Sequence, residues 1–233
     1  MDMETDMVID FHAHILPGAD HGSKSLEESV AQISLMRENG IRDVVATPHF
    51  YGHTENLSSF LSRVNGAYEI LSQEMVNQGW DSPKIHIGAE VLLFIGLENL
   101  EGLGSLAIRG TKTLLLELPY GDLSQDHAKT VHRIIRKGYD VVLAHADRYQ
   151  AKFIDLLIEM GAKIQLNADA FHGFFMKKPI KKWLAEGAVV ALGSDIHGAD
   201  ARAYKLFLNA EQKIKKYFES IQRSSEKLIR FEE

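Results

Sequence analysis

Short apolar runs alternate along the chain with amphipathic stretches, most of which end at a glycine. The runs MVIDF, DVVAT, KIHIG, TLLLEL, DVVLA, KIQLN and AVVALG are rich in β-branched residues and nearly continuous in hydrophobicity. Strands buried on both faces of a parallel sheet read this way. Between them the spacing predicts helices over LEESVAQISLMREN, FLSRVNGAYEILSQEMVNQ, HAKTVHRIIRK, AKFIDLLIEM and KKPIKKWLAE. In the first of these Leu26, Val30, Ile33 and Leu35 fall near helical spacing, and Ser25 with Glu28 forms a capping-box pattern. Ser58 or Ser59 is the expected start of the second helix and Ser124 that of the third. Gly40, Gly79, Gly138, Gly161 and Gly187 supply the stops. A long helix is predicted from about Ala201. Residues 91–110, VLLFIGLENLEGLGSLAIRG, are irregular and glycine-rich and predict an extra hairpin or lid.

Seven strand signals alternating with helices point to an α/β protein, a single-domain distorted (β/α)7 barrel spanning 1–233. Its core is expected over about 7–216, with a C-terminal helical tail over 217–233. A doubly wound open sheet is the alternative, but it would gather functional residues at one switch point. Here nearly every strand contributes one.

Composition narrows the classes. Of 233 residues, 45% are hydrophobic and 25% charged, enough to build a core. No run approaches the roughly 18 apolar residues of a membrane span. The opening MDMETDM is acidic and polar, unlike a secretory signal. With no cysteine there is neither a disulfide nor a thiolate, so a cytoplasmic location is expected. A net charge of −6 argues against nonspecific nucleic-acid binding, and no direct membrane insertion is expected.

Nine side chains with metal-binding chemistry lie at or just beyond the ends of the apolar runs: His12, His14, His21, His49, Glu90, Glu117, His145, Asp195 and His197. His12 and His14 are spaced i, i+2, so both face one side of a strand. His21 sits in a glycine-flanked loop able to fold back over the rim, and Asp195 with His197 repeats the i, i+2 spacing. Taken singly, each has a plain reading: half-buried histidines, a turn histidine after Pro48, a capping turn at Ser194 and Asp195. Glu90 and Glu117 are harder to dismiss, because a carboxylate in a buried strand is costly unless paired or metal-bound. Nine such residues from at least six strands, converging on one barrel rim, point to a multinuclear metallohydrolase. His53, His86, His127, His132 and His172 lack a partner pattern and read as structural or surface residues. The loop aromatics Phe50, Tyr51, Tyr120 and Phe171 are assigned no role.

The segments IDFHAHILPGADHG, VVATPHF, IGAE, LLLELP, VLAHADRY and GSDIHG resemble the PHP (polymerase and histidinol phosphatase) superfamily. Within it they look most like the bacterial manganese-dependent protein-tyrosine phosphatases of capsule and exopolysaccharide loci, in the same order and with comparable spacing from about Met7 to the region of Lys216. The resemblance implies a distorted (β/α)7 barrel with two or three divalent ions, Mn²⁺ first, with Fe or Zn as other candidates. One ion would be held by His12, His14 and Asp195, with Glu90 bridging to a second that takes Glu117 and His145. His21, His49 and His197 would hold the third. Arg148 and Arg202 match the phosphate-contacting arginines and are the expected catalytic residues. The implied partner is a phosphotyrosine-bearing protein, a bacterial tyrosine autokinase, and the oligomeric state stays open.

The chain departs from the pattern at three places. It reads Asp20-His21-Gly22 where the phosphatases usually carry Asp-Asp-Gly, Asp147 stands where Glu usually precedes the arginine, and the tail lacks an Asn-Pro. The expected reaction is phosphomonoester hydrolysis by a metal-bound hydroxide without a covalent enzyme intermediate. Phenolate, with a pKa of about 10, leaves with little acid catalysis, whereas an alkyl phosphate needs a proton donor for which the sequence offers no clear candidate, and this favours an aryl phosphate. The alternatives are a histidinol-phosphate-type small-molecule phosphatase and, from another class, a metal-stabilised regulatory or binding protein with little turnover. A phosphodiester nuclease of the same superfamily is disfavoured by the acidic charge.

Overall fold

The computed structural model describes residues 8–121, 123–173 and 175–230; Met7, the expected first residue of the opening strand, and the last three residues of the tail lie outside them. In chain order the elements are β1 (Val8–His14), α1 (Leu26–Glu38), β2 (Ile41–Ala46), β3 (His49–Phe50), α2 (Leu57–Asn77), β4 (Lys84–Ile87) and β5 (Glu90–Leu92). There follow β6 (Thr113–Glu117), α3 (Gln125–Arg136), β7 (Asp140–Leu143), α4 (Ala151–Glu159), β8 (Lys163–Asn167) and α5 (Lys178–Ala185). The last are β9 (Val189–Gly193), β10 (Ile196–His197), α6 (Ala201–Lys213) and α7 (Lys215–Ile229).

All strand pairs are parallel, in the orders β10-β1-β2-β4 and β3-β5-β6-β7-β8-β9. Three of the seven predicted strands are interrupted near their C-terminal ends. β2 gives way to β3 across Thr47-Pro48, β4 to β5 across Gly88-Ala89, and β9 to β10 across Ser194-Asp195. Proline has no N–H to give a ladder, so a break at Pro48 follows from its chemistry. Counted with their continuations, the strands form seven units, each paired on both sides. The expected α/β architecture of parallel strands is present, with α-helices in all crossovers but one. That exception joins β5 to β6. Residues 91–110 form neither hairpin nor free lid there: two 3₁₀ turns, Leu97–Asn99 and Leu103–Leu106, dock by burying Leu97, Leu103 and Leu106.

A small inner cluster takes Ile9 and Phe11 from β1, Val45 from β2, Leu115 from β6, Val142 from β7 and Val190 from β9. Leu228 and Ile229 of α7 belong to the same cluster. The helical tail expected beyond residue 216 therefore supplies part of the core. It is tied there by hydrogen bonds from Ile9 N to Gln222 Oε1 (2.8 Å), Thr113 Oγ1 to Leu228 O (2.8 Å) and Ser225 Oγ to Val190 O (3.0 Å). A larger cluster lies between strands and helices.

Three local expectations change. The single C-terminal helix is two, broken at Ile214. α2 starts before Ser58, because the Asn56 side chain accepts the Ser59 N–H and caps it. At α1 Ser25 caps Glu28 N as expected, but the Glu28 carboxylate accepts from Lys24 N at 2.7 Å, one residue outside the capping-box pattern. Among the described residues no helix is long and apolar enough to cross a membrane.

Candidate metal centre

The candidate ligands sit at the C-terminal ends and interruptions of the strands. His12 and His14 lie in the last three residues of β1, His49 opens β3, Glu90 opens β5, Glu117 ends β6, His145 lies two residues past β7, Asp195 lies in the break after β9, and His197 ends β10. In β1 the register against β2 shifts between Asp10 and Ala13. Such an irregularity breaks strict alternation, so Phe11 belongs to the inner cluster while its neighbour His12 reaches the site.

Only two non-glycine residues among those described have left-handed backbone, and both are candidate ligands: His145 (φ 33°) and Asp195 (φ 52°). That conformation costs about 1 kcal/mol or more and persists where surroundings over-determine it. Here they do. His145 N donates to Gln165 Oε1 at 2.6 Å, and Asp195 N to His12 O at 2.8 Å. Gly22 lets the loop carrying His21 close over β1, since a Cβ there would lie 2.2 Å from His14 Cβ.

Glu90 is the hub. Its Oε2 lies 3.1 Å from His12 Nε2, 3.2 Å from His14 Nε2 and 3.0 Å from His49 Nδ1, and its Oε1 lies 2.7 Å from His145 Nε2. Asp195 Oδ1 is 3.6 Å from His12 Nε2 and 3.5 Å from His14 Nε2. Glu117 stands 3.9 Å from both His49 Nδ1 and His145 Nε2. Ligand atoms within 4.8 Å of one another form three groups: His12, His14, Glu90 and Asp195; His49, Glu90 and Glu117; and His14, His49 and His197. The exposed ring of His21 stacks on His49 and on His197, with centroids 4.7 Å away in each case. All nine candidates are thus brought together. They differ from the sequence expectation in two respects: His49 rather than His145 groups with Glu90 and Glu117, and His14 rather than His21 with His49 and His197.

The ring Nδ1 and Nε2 of His49 and the Oε2 of Glu90 are buried with no hydrogen-bond partner, although Nδ1 and Oε2 are only 3.0 Å apart. Buried polar atoms of natural proteins rarely go unpaired. Imidazole nitrogens and carboxylate oxygens crowded without hydrogen-bonding geometry fit a divalent cation between them, and this donor set suits borderline and hard ions.

Electrostatics describes the same crowding. Burial opposes ionisation of Glu90, yet His12, His14 and His145 hold its carboxyl well below the usual range. Asp195 is likewise held low against burial by His12 and His14. Burial, reinforced by the Glu90 charge, pushes Glu117 up to about 7. Burial pushes His49 down to about 4. His12 and His14 are raised in spite of burial, His12 by Glu90 and Asp195, His14 by Asp195, Asp20 and Glu90. An imidazole raised in this way holds its proton more tightly, so a cation must displace protons to bind. Divalent-ion affinity is accordingly expected to rise as pH rises through neutrality, with release of at least one proton. Calorimetry in two buffers of different ionisation enthalpy checks this, and identical apparent enthalpies would count against it.

A supporting layer was not anticipated from sequence. Asp20 Oδ2 lies 2.7 Å from His14 Nδ1 and accepts His49 N–H at 3.0 Å, while its Oδ1 accepts Gly22 N–H at 2.8 Å. Gln165 Nε2 donates to Asn167 Oδ1 (2.8 Å), and Asn167 Nδ2 donates to Asp195 Oδ2 (2.9 Å). Asp10, pushed up to about 6 by burial, accepts from Ser194 N (2.8 Å) and Ser194 Oγ (2.6 Å) and so anchors the turn bearing Asp195. The available signal was polar residues at i, i+2 inside apolar strands: Asp10 before His12, and Gln165 before Asn167.

Of the two arginines, Arg148 is at the centre, its Nη2 donating to Asp195 Oδ2 at 2.8 Å. Arg202 is not brought there: it pairs with Asp200, two residues earlier, and its side chain is 86% exposed. Phe50 and Phe171 are core residues, whereas Tyr120 is exposed.

A sequence model of the family described as "Capsular polysaccharide synthesis, CpsB/CapC" matches residues 8–228. A putative tyrosine-protein phosphatase CapC of Staphylococcus aureus is 25% identical over 92% of this chain and 87% of its own length. The tyrosine-protein phosphatase CpsB of Streptococcus pneumoniae is 28% identical, covering 84% of this chain and 85% of that protein. Among solved structures, one from a study of YwqE from Bacillus subtilis and CpsB from Streptococcus pneumoniae, metal-dependent tyrosine phosphatases, superimposes with a TM-score of 0.80 at 23% identity. The match covers 97% of this chain and 96% of the other. A β-aspartyl dipeptidase of Fervidobacterium islandicum shares the fold more distantly, with a TM-score of 0.59 at 14% identity, over 95% of this chain and 72% of its own.

Proposed function

The chain belongs to the CpsB/CapC capsular polysaccharide synthesis family, and from that premise we propose that it is a metal-dependent protein-tyrosine phosphatase, a hydrolase of phosphoric monoesters. The observation that carries the reading is the gathering of nine imidazole and carboxylate side chains in one centre, four of the imidazoles against Glu90, with orphaned buried ligand atoms between them. His12, His14, Glu90 and Asp195 would hold one ion, and Glu90, Glu117 and His145, with His49 at hand, a second. His21, His49 and His197 would hold a third. Mn²⁺ is the ion proposed for the carboxylate-bearing positions. The proposed partner is a phosphotyrosyl protein, in the first place a tyrosine autokinase of capsule synthesis.

Divalent ions bound here supply charge to offset the phosphoryl oxygens and Lewis acidity for water. The rest falls to the protein. Asp20 fixes the His14 ring through Nδ1, and Gln165 holds the backbone of His145. Arg148, half released to solvent, can trade part of its pairing with Asp195 for a phosphoryl oxygen, and its planar guanidinium suits two oxygens at once. Water adds to phosphorus and gives up one proton to solvent, the P–O bond to the ring breaks, and the phenolate, a good leaving group, takes up a proton in its place. With no cysteine in the chain, a thiolate nucleophile is absent. The matched relatives, covering 84% and 92% of the chain, are named tyrosine phosphatases, which leaves the small-molecule phosphatase and binding-protein readings unsupported.

The test is phosphate release by Mn²⁺-loaded protein from a phosphotyrosyl peptide and from histidinol phosphate, with His14→Ala as control. Faster, His14-dependent release from the peptide is expected; a preference for histidinol phosphate would overturn the substrate. In the same assay Arg148→Ala is expected to lose about hundredfold in kcat/KM, the size of a charge-assisted phosphate contact. Arg202→Ala, paired outward with Asp200, should change it by less than about threefold.

A further inference from the structure

Three tyrosines border the Glu90–Glu117 end of the centre. His49 and His145 both touch Glu90, and each lies 3.9 Å from Glu117. Each also has a tyrosine ring against it. Tyr51 stacks on His49 with centroids 5.2 Å apart and planes 16° from parallel, and Tyr149 lies 5.8 Å from His145 at 32°. Both tyrosines are half-buried. The Tyr149 hydroxyl donates to Leu118 O at 2.9 Å, which ties the segment after β7 to the end of β6. Two residues beyond Leu118 the chain presents Tyr120, whose exposure is 82%. Tyr120 acts electrostatically on Tyr51, Tyr149 and Arg148, so it stands within reach of all three.

We propose that Tyr51, Tyr120 and Tyr149 form a cup for the aromatic ring of the substrate, with Tyr120 as its outer wall, so that the site selects aryl over alkyl phosphates by ring contact. The proposal rests on the phosphatase reading above and assigns the residues that meet the leaving group. A phosphoryl group held beside Glu90, Glu117 and Arg148 is joined to the rest of the substrate only through its ester oxygen. A ring one bond beyond that oxygen falls among the loops that follow β3, β6 and β7, and these carry the three tyrosines. A single exposed aromatic calls for no explanation. Three from separate loops can contact a ring on several sides, in the offset and edge-on arrangements that aromatic pairs prefer at about 4.5–7 Å between centroids. An alkyl phosphate is too slender to fill such a cup and forgoes those contacts. This selection is separate from the ease with which phenolate leaves, because it acts on binding.

Methylphosphonate and phenylphosphonate share one head group, differ in the ring, and are not hydrolysed. The ratio of their inhibition constants against a phosphotyrosyl peptide therefore reads ring contact alone. The Mn²⁺-loaded wild type is expected to bind phenylphosphonate about tenfold more tightly than methylphosphonate. Tyr120→Ala should cut that preference about fivefold, with the loss falling on phenylphosphonate, and Tyr120→Phe should keep it, because the ring makes the contact. Tyr120 is exposed, so its truncation leaves the core intact. Equal constants for the two phosphonates in wild type, or an undiminished preference in Tyr120→Ala, overturns the cup. A Tyr120→Phe protein that behaves like Tyr120→Ala overturns the ring contact in favour of the hydroxyl. A wild type that hydrolyses no phosphotyrosyl peptide overturns the phosphatase reading instead.

Discussion

Glu90→Gln is expected to lower phosphatase activity by about a thousandfold or more and to strip the centre of its ions. Glutamine has nearly the same shape, so packing is preserved and the change isolates charge. The carboxylate touches four imidazoles, with Oε2 at 3.0–3.2 Å from those of His12, His14 and His49 and Oε1 at 2.7 Å from that of His145. An amide removes the negative charge those positions share and turns an N–H donor towards ring nitrogens. A cation contributing several kcal/mol at the phosphoryl group corresponds, at about 1.4 kcal/mol per decade, to the stated loss. Metal content and kcat/KM are to be measured together. A variant that keeps its ions and stays within about tenfold of wild type would show that Glu90 is not the bridging ligand.

Much of this was legible because of one physical conflict. Parallel strands covered on both faces read as unbroken apolar runs, so a histidine or carboxylate at the end of one stands out. Glu90 and Glu117 were conspicuous for that reason, and both are buried in the structure. The resemblance read from the motifs agrees with the family that the chain matches over residues 8–228. Gln165, Asn167 and Asp10 were harder to see, because their roles depend on partners distant in sequence. Asp10 meets Ser194 across 184 positions. Local competition set the other limits. Asp200, two residues from Arg202, claims its guanidinium, and Asn56 outcompetes Ser58 and Ser59 as a cap because its side chain reaches Ser59 N. The strand breaks at Thr47-Pro48 and Gly88-Ala89 looked like strand ends, yet each strand resumes two residues later and carries a ligand on the resumed part.

Gly193→Ala, a change of one methyl group, is expected to disable the site as well as destabilise the fold. Gly193 is the last residue of β9, and a Cβ there would lie 2.5 Å from His12 Cβ, 2.6 Å from Gln165 Nε2 and 3.2 Å from His12 N. None of these can move out of the way cheaply. The first is the root of a ligand side chain and the third its backbone. Gln165 is bonded at both ends, to Asn167 through Nε2 and to His145 N through Oε1. The strand must therefore shift, and overpacking of this kind costs about 1–3 kcal/mol. The same shift displaces His12 and, through Gln165, the strained backbone of His145. A misplacement approaching 1 Å in a reacting centre loses about a hundredfold in rate. Gly66→Ala in α2 is the control: a Cβ there meets nothing within 4 Å, so the substitution should stabilise by about 0.5–1 kcal/mol and leave catalysis unchanged. Thermal melts read alongside kcat/KM separate the two effects, and a Gly193→Ala protein with wild-type turnover would mean that β1 and β9 can separate without disturbing His12.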